Sequence, residues 1–276
     1  MADTRRIRHQ KTPVTHVLRV LVIAYLFLLI AWPVSLVVTT TFENGFDALR
    51  AVFDDPDTVA ALRLTVVAAV VATTVNTVFG VAMSLLLVRS EFRGKRLLSS
   101  LVDLPLAISP IVVGLSLVLV YGGRGGWFGP TLESAGVQII FATPGIVMAT
   151  AFVALPLVIR EVVPVLEEIG VEQEQAARSL GANAWQSFWR VTLPGIKWAV
   201  VYGVVLTLAR SLGEFGAVKV VSGNVLGQTR TATLAVEEKY LNWDQESAYA
   251  IAFLLASVSV LCLIVVSILR SRANRH

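Results

Sequence analysis

The chain has 276 residues, of which 55% are hydrophobic and 15% are charged, with 23 Lys and Arg against 19 Asp and Glu. Its mean hydropathy is +0.73, whereas soluble domains carry about 25% charged residues. The composition therefore excludes an ordinary soluble domain and predicts a membrane protein. The net charge of +4 would also suit a nucleic-acid partner. However, the basic residues lie where topology signals are expected, so we expect no nucleic-acid binding.

Six stretches are long and apolar enough for helices that cross the hydrocarbon core of a bilayer, which takes about 20 residues. In chain order they are segments one to six: 17–38, 62–88, 97–121, 139–159, 197–221 and 247–269. They predict an all-α integral membrane fold with one transmembrane domain over residues 1–276. Segment one has a basic start like that of a signal peptide. No convincing cleavage site follows it, so a retained helix is expected.

Lys and Arg are distributed unevenly between the two sides that these segments define. One side carries 16 of them, in both tails, after segment two and after segment four; the other carries five. The remaining two, Arg210 and Lys219, lie within segment five. The positive-inside rule places the richer side, with both termini, in the cytoplasm. The 160–196 loop is then the longest cytoplasmic stretch.

Cysteine and histidine are too scarce for a metal or disulfide site. The only cysteine, Cys262, lies in an apolar run, and His9, His16 and His276 lie in the tails. Neither a disulfide framework nor a Cys/His metal site is expected. Acidic and histidine residues do not converge as an enzyme embedded in the membrane would require, so no catalytic residue is assigned.

Residues 171–194 read as two short helices joined by a turn. Acidic residues come early, at Glu172 and Glu174, where a helix N-terminus favours them, and Gly181 suits a helix C-terminus. Pro194 suits the first turn of the next helix. The residue types alone fit either a docking element for another surface or an amphipathic loop that only covers the bundle.

The same stretch resembles the signature of ABC importer permeases, E-A-A-x3-G-x9-I-x-L-P. The matching residues are Ala176, Ala177, Gly181, Leu193 and Pro194, with Val191 at the Ile position. In that family this signature forms the coupling helix, which docks on the ATPase subunit. Gln175 replaces the first Glu of the signature, while Glu174 lies one residue earlier. The resemblance therefore implies that Glu174 and Gln175, together with the matching residues, couple the chain to an ATPase. We call residues 171–194 the coupling segment.

Further stretches make the resemblance more specific, to sulfate/thiosulfate importer permeases of the CysW-like type. They are Phe92–Lys95, Asp103–Pro105, Ser109–Pro110, Gly126–Pro130, Gln138–Ala142, Phe188–Pro194 and Gly213–Val218. Molybdate and tungstate permeases share part of this pattern and are the alternative.

The resemblance implies a six-helix type I ABC importer permease in the plasma membrane of a prokaryote. The implied partners are a second, homologous permease, two ATPase subunits and an extracytoplasmic sulfate-binding protein. The chain contains no G-x4-G-K-[ST] sequence. We therefore expect it to bind no cofactor itself, with ATP used by the partner ATPase. A passive channel is the rival class, and an ATPase that copurifies with the chain would argue against it.

Ionisable residues inside a spanning helix are costly and suggest function. Arg210 and Glu214 are four residues apart in segment five and can pair on one face. The sequence supports two interpretations equally. Either the pair lines the anion path, or the two charges neutralise each other and fix the packing of the helix.

Two further polar positions are candidates for the path. Asn76 in segment two fits interhelical packing better than ligand contact. Ser109 in segment three precedes Pro110, near an expected break where freed backbone groups can line a cavity.

Overall fold

The computed structural model describes residues 13–43 and 45–273, and all regular structure within those ranges is helical. The α-helices are α1 (Pro13–Leu26), α2 (Trp32–Thr41), α3 (Asp47–Asp54), α4 (Pro56–Arg89), α5 (Lys95–Ala107), α6 (Pro110–Tyr121), α7 (Gly129–Ser134), α8 (Thr143–Ala154), α9 (Pro156–Ile169), α10 (Glu172–Ser179), α11 (Ala184–Ser187), α12 (Leu193–Leu212), α13 (Gly216–Val221), α14 (Ala232–Leu241) and α15 (Gln245–Ala273). This confirms the predicted all-α membrane fold.

Five helical stretches within the described residues are long and apolar enough to cross a membrane. They are His16–Thr41, Pro56–Arg89, Thr143–Ile169, Ala184–Leu212 and Gln245–Val265. The helices α5 and α6 pass the same test only when taken together; they meet at an angle of 111°, and counted as one bent pair they make a sixth stretch. The break lies at Ile108 and Ser109, directly before Pro110, because a residue ahead of proline disfavours helical geometry. The six stretches match the six predicted segments in order.

Two π-helical turns, Phe27–Ala31 and Phe188–Thr192, lie within the first and fifth spans. Each is followed directly by an X-Pro pair, Trp32-Pro33 in the first case and Leu193-Pro194 in the second. Proline offers no N–H and its ring clashes with the carbonyl four residues back. The wider turn accommodates both restrictions without ending the helix.

Two predicted boundaries need correction. The helix from segment four continues to Ile169, so the predicted 160–196 loop is helical in its first ten residues. The charged residues at the start of this loop lower its hydropathy, so the sequence did not predict a helix. Val162 and Leu166 are nevertheless one turn apart and fully buried against the bundle. Segment five, predicted as one helix over 197–221, ends at Leu212 and resumes as α13 at Gly216.

The bundle core lies where α4, α9 and α12 pack together. Its buried residues include Val81, Val158, Leu166 and Ile196. A Cβ atom added to Gly80 of α4 would lie 2.8 Å from Cβ of Val158, so the missing side chain permits the close approach of α4 and α9. The coupling segment begins at the end of this core.

Span one contributes little to that core. The apolar window within His16–Thr41 has no buried residues. Its contacts with the bundle lie at its end, where α2 meets α15 and the rings of Phe42 and Phe253 pack edge to face at 5.2 Å.

Candidate functional site

The first half of the coupling segment is α10, which ends in a Schellman motif. The N–H of Ala182 donates to the carbonyl of Ala177 at 3.0 Å, and the N–H of Gly181 donates to Arg178 at 2.9 Å. Gly181 has a φ of +88°, which glycine adopts without strain. A Cβ atom added there would meet nothing within 4 Å. The turn therefore requires glycine for its backbone geometry, while the space around it is open.

The second half is α11, which is fixed at its start by a capping box. The side chain of Asn183 accepts from the N–H of Gln186 at 2.8 Å, and Gln186 accepts from the N–H of Asn183 at 3.0 Å. Trp185, Phe188 and Trp189 follow with ring centroids 5.4–6.3 Å apart. These contacts give the second half a defined direction into α12.

The tip of the coupling segment is exposed. Leu180 is 90% exposed and Trp185 is 70% exposed. Gln175, Ala176 and Gly181 are also exposed, and Ala177 is half-buried. An apolar residue as exposed as Leu180 beside small neighbours suits contact with another protein surface. At the far end, Leu193 packs against the bundle core and Pro194 is exposed.

Glu174, expected among the ATPase-coupling residues, lies on the inward side of α10. Its side chain is 11% exposed, and its Oε1 lies 3.1 Å from Nη2 and 3.2 Å from Nε of Arg89. The hydroxyl of Thr192 donates to the same oxygen at 2.9 Å. Glu174 therefore pairs within the chain, whereas its neighbour Gln175 faces solvent.

Arg89 and Thr192 are the functional candidates that the sequence did not predict. Arg89 is the last residue of α4, and its position at a basic helix end was interpreted only as a topology signal. It is 85 residues from Glu174 along the chain. No local spacing could have connected the two, and only an alignment of covarying positions could have done so.

Arg210 and Glu214 form the predicted pair, with 2.7 Å between Nη1 and Oε2. The Glu214 side chain is 2% exposed and that of Arg210 is 40% exposed. The other carboxylate oxygen of Glu214 accepts from the N–H of Ala217 at 3.0 Å. Glu214 therefore also stabilises the start of α13, where span five resumes after its break.

The other two candidates lie in different surroundings. Asn76 is fully buried in α4 and donates to the carbonyl of Ala151 in α8 at 2.9 Å. Ser109 is exposed at the break that precedes α6. The two therefore share no exposed surface. The contact made by Asn76 is the interhelical contact that its residue type favoured.

A group of charged residues joins α14 to the start of α4 at the end of the bundle opposite the coupling segment. Nζ of Lys239 lies 3.4 Å from carboxylate oxygens of both Asp55 and Asp244, and Arg230 pairs with Glu238. A hydrogen bond from Thr58, with help from Lys239, lowers the pKa of Asp55 despite partial burial. Burial acts to lower the pKa of Lys239, but the hydrogen bonds and charges of Asp244 and Asp55 together outweigh it and raise that pKa.

Metal ligands do not gather in the part of the chain that the structure describes. Over residues 13–43 and 45–273, no three His, Cys, Asp or Glu side chains come close enough to hold a metal ion. The features that stand out are the exposed coupling segment, the buried network behind it and the broken fifth span.

A bundle of long apolar helices with an exposed segment at one end defines an integral membrane protein. The family model for binding-protein-dependent transport system inner membrane components matches residues 76–275. The chain belongs to this family and is a multi-pass membrane protein. Its relatives are named as transport permeases rather than enzymes.

Individual relatives give finer comparisons. The sulfate transport system permease protein CysW of Synechococcus elongatus is 48% identical over 252 residues, 91% of this chain and 88% of that protein. The sulfate transport system permease protein CysT of Escherichia coli (strain K12) is 38% identical over 252 residues, 91% of each chain.

A solved structure matches the architecture. A bacterial alginate ABC transporter, in complex with an alginate pentasaccharide-bound periplasmic protein, superposes with a TM-score of 0.77 at 16% identity. The match covers 94% of each chain. At this identity the likeness shows the fold alone, which is that of a type I ABC importer permease.

Proposed function

We propose that the chain is the CysW-type permease subunit of an ATP-driven importer for sulfate and thiosulfate. The observation that carries the proposal is 48% identity to a sulfate permease over 91% of the chain. The identity to the CysT type is lower, at 38% over the same share. Because these relatives are sulfate permeases, the molybdate and tungstate alternative is not favoured.

The importer would be assembled from several proteins. Relatives named CysW and CysT support a pair of homologous permeases, and the family description supports an extracytoplasmic binding protein that delivers the anion. Two ATPase subunits would bind the coupling segments and hydrolyse ATP. We propose that this chain itself binds no cofactor. The lipid bilayer would surround its six spans.

The coupling segment would face the cytoplasm of a prokaryotic cell, with both termini on the same side of the plasma membrane. The basic residues after spans two, four and six support this orientation. The exposed tip at Leu180 and Gly181 would contact the ATPase. Closure of the ATPase dimer would move the segment, tilt the helices and expose the path to alternate sides.

Reconstitution tests the proposal. The chain is combined in proteoliposomes with its partner permease, its ATPase and a sulfate-loaded binding protein, and uptake of radiolabelled sulfate is measured with and without ATP. We expect ATP-dependent uptake that excess thiosulfate competes away and excess molybdate leaves largely intact. Uptake of molybdate without sulfate would contradict the assigned substrate. Uptake that needs no ATP would instead indicate a channel.

A further inference from the structure

We propose that Arg89 and Glu174 form a fixed joint that transmits movement of the coupling segment to three membrane helices. In this proposal Glu174 is a positioning residue inside the chain and makes no contact with the ATPase. The inference deepens the proposed importer function and rests on it. We call Arg89, Glu174 and Thr192 the joint.

Arg89 connects three elements through one guanidinium group. Its Nε and Nη2 donate to Glu174 of α10, its Nη1 donates to the carbonyl of Leu166 at 3.1 Å, and its Nη2 donates to that of Gly170 at 2.6 Å. The carbonyls in the last turn of a helix lack partners within that helix. Arg89 therefore caps the end of α9 while it holds α10, and it does both from the last residue of α4.

Glu174 adds the fourth element. The oxygen that pairs with Arg89 also accepts from the hydroxyl of Thr192, the last residue of the π-helical turn that leads into α12. The two ends of the coupling segment are thus tied to each other, 18 residues apart in sequence, through one carboxylate oxygen. Neither end can move away from α4 without breaking a charge-assisted hydrogen bond.

The joint lies directly at the end of the bundle core. Leu166, whose carbonyl Arg89 binds, is itself fully buried and packs in the cluster with Val81 of α4 and Ile196 of α12. The three helices that meet in the joint are the three that pack in this cluster. Close-packed side chains transmit displacement rather than absorb it, so a shift of the coupling segment would reach all three helices together.

Burial makes the joint an internal contact. The side chains of Arg89 and Glu174 are 16% and 11% exposed, so salt screens their attraction only weakly. Arg89 donates four hydrogen bonds within the chain, and the paired oxygen of Glu174 accepts three. An ATPase that docks on the exposed face of α10 would meet Gln175 and Ala176, the two residues that follow the buried Glu174.

The test replaces Glu174 by Gln in the complete importer, with Glu168→Gln as the matched control. Glu168 is exposed and lies in α9, outside the coupling segment. We measure how much ATPase copurifies with the importer and, in proteoliposomes, how much sulfate is transported per ATP hydrolysed. For Glu174→Gln we expect normal copurification and a transport ratio about tenfold lower, the factor that a lost charge-assisted hydrogen bond produces. For Glu168→Gln we expect neither quantity to change.

Two results with Glu174→Gln would overturn the proposal. An unchanged ratio of sulfate to ATP would show that the joint transmits nothing, and a loss of copurifying ATPase would show that Glu174 contacts the partner. Failure of the unsubstituted importer to transport sulfate would count against the proposed function. The joint would then be tested by copurification and by ATP hydrolysis stimulated by the loaded binding protein.

A second variant tests the proposal independently, in case Glu174→Gln fails to fold. Arg89→Cys and Glu174→Cys are combined with Cys262→Ser, which removes the only native thiol, and a short bifunctional thiol reagent links the new pair. A mechanical joint predicts that the unlinked variant hydrolyses ATP with little transport and that linking restores most of the transport. Equal transport before and after linking would contradict the mechanical role.

Discussion

Gly181 ends α10 with a φ of +88°, and nothing lies within 4 Å of an added Cβ. Replacing it with Val should strain the turn by about 1–2 kcal/mol, since left-handed geometry disfavours β-branched residues. We predict that Gly181→Val hydrolyses ATP but transports little sulfate. Gly181→Asn, which tolerates this geometry, should keep the turn and shows whether side-chain bulk at the tip alone disturbs docking.

Gly94 provides the matched control for that experiment. It has a φ of +95° and open space around it, but it lies outside the coupling segment, just before α5. Gly94→Val should therefore carry a similar strain without uncoupling transport from ATP hydrolysis. Normal transport by Gly181→Val would show that this turn is not the coupling element.

The role of Arg210 can be tested by measuring protein stability and sulfate transport separately. Arg210→Gln leaves the buried carboxylate of Glu214 without its cation. A loss of this kind costs about 3–5 kcal/mol in a fully buried pair and less here, because Arg210 is 40% exposed. We predict a lower thermal unfolding temperature for Arg210→Gln and recovery in the double variant Arg210→Gln/Glu214→Gln.

Sulfate uptake by that double variant then decides between the two interpretations of the pair. A stable double variant that transports normally assigns Arg210 and Glu214 to packing. A stable double variant that assembles but does not transport assigns the pair to the anion path. Arg210→Lys, which keeps the charge but not the planar fork, shows whether charge alone is sufficient.

Among single residues, the sequence predicted contacts between positions that are close along the chain. Arg210 and Glu214 do pair, but not on one helix as predicted, because α12 ends at Leu212 and Glu214 lies in the break that follows. Arg89 and Glu174 are equally important to the site, but they come together only because α4 and α9 end side by side. Periodicity carries no information about such a contact, since it depends on tertiary packing.

Among the helices, Gly80 of α4 sets the distance to α9. Helix propensity alone predicts that Gly80→Ala stabilises α4 by about 1 kcal/mol. The new Cβ would lie 2.8 Å from Cβ of the fully buried Val158, and overpacking of this kind costs about 1–3 kcal/mol. We predict net destabilisation, measured as a lower thermal unfolding temperature in detergent.

Gly213→Ala is the control for Gly80→Ala. Gly213 lies at the end of α12 with a φ of −93°, and a Cβ atom added there meets nothing within 4 Å. Its substitution should leave the unfolding temperature nearly unchanged. If Gly80→Ala raises the temperature instead, the contact between α4 and α9 is looser than the structure indicates.

The helices also show what hydropathy predicts and what it misses. The six apolar segments and the break before Pro110 follow from residue type. Hydropathy did not predict the last turns of α9 because their charged residues lower the average hydropathy. One face of these turns nevertheless remains buried. The gap between α12 and α13 was not predicted because Leu212 and Phe215 on its two sides are apolar. In the structure, the carboxylate of Glu214 in this gap accepts from the N–H of Ala217 at the start of α13.

For the whole molecule, the distribution of basic residues predicts which side of the membrane each loop occupies. In a Cys262→Ser background, Ser179→Cys in α10 and Ser134→Cys in α7 place single thiols at exposed positions. We predict that an impermeant thiol reagent labels Ser134→Cys in intact cells and Ser179→Cys only in inverted vesicles. Labelling of Ser179→Cys in intact cells would overturn the proposed orientation.

Helix α4 joins the two sides of the molecule without interruption. It runs from the Asp55 cap to Arg89 with no proline beyond its first position, and 34 residues at 1.5 Å each give a rod about 51 Å long. Pivoting such a rod by only 5° about one end displaces the other by about 4 Å. Opening on one side and closing on the other would then be a single motion, and no separate signal would have to cross the bilayer.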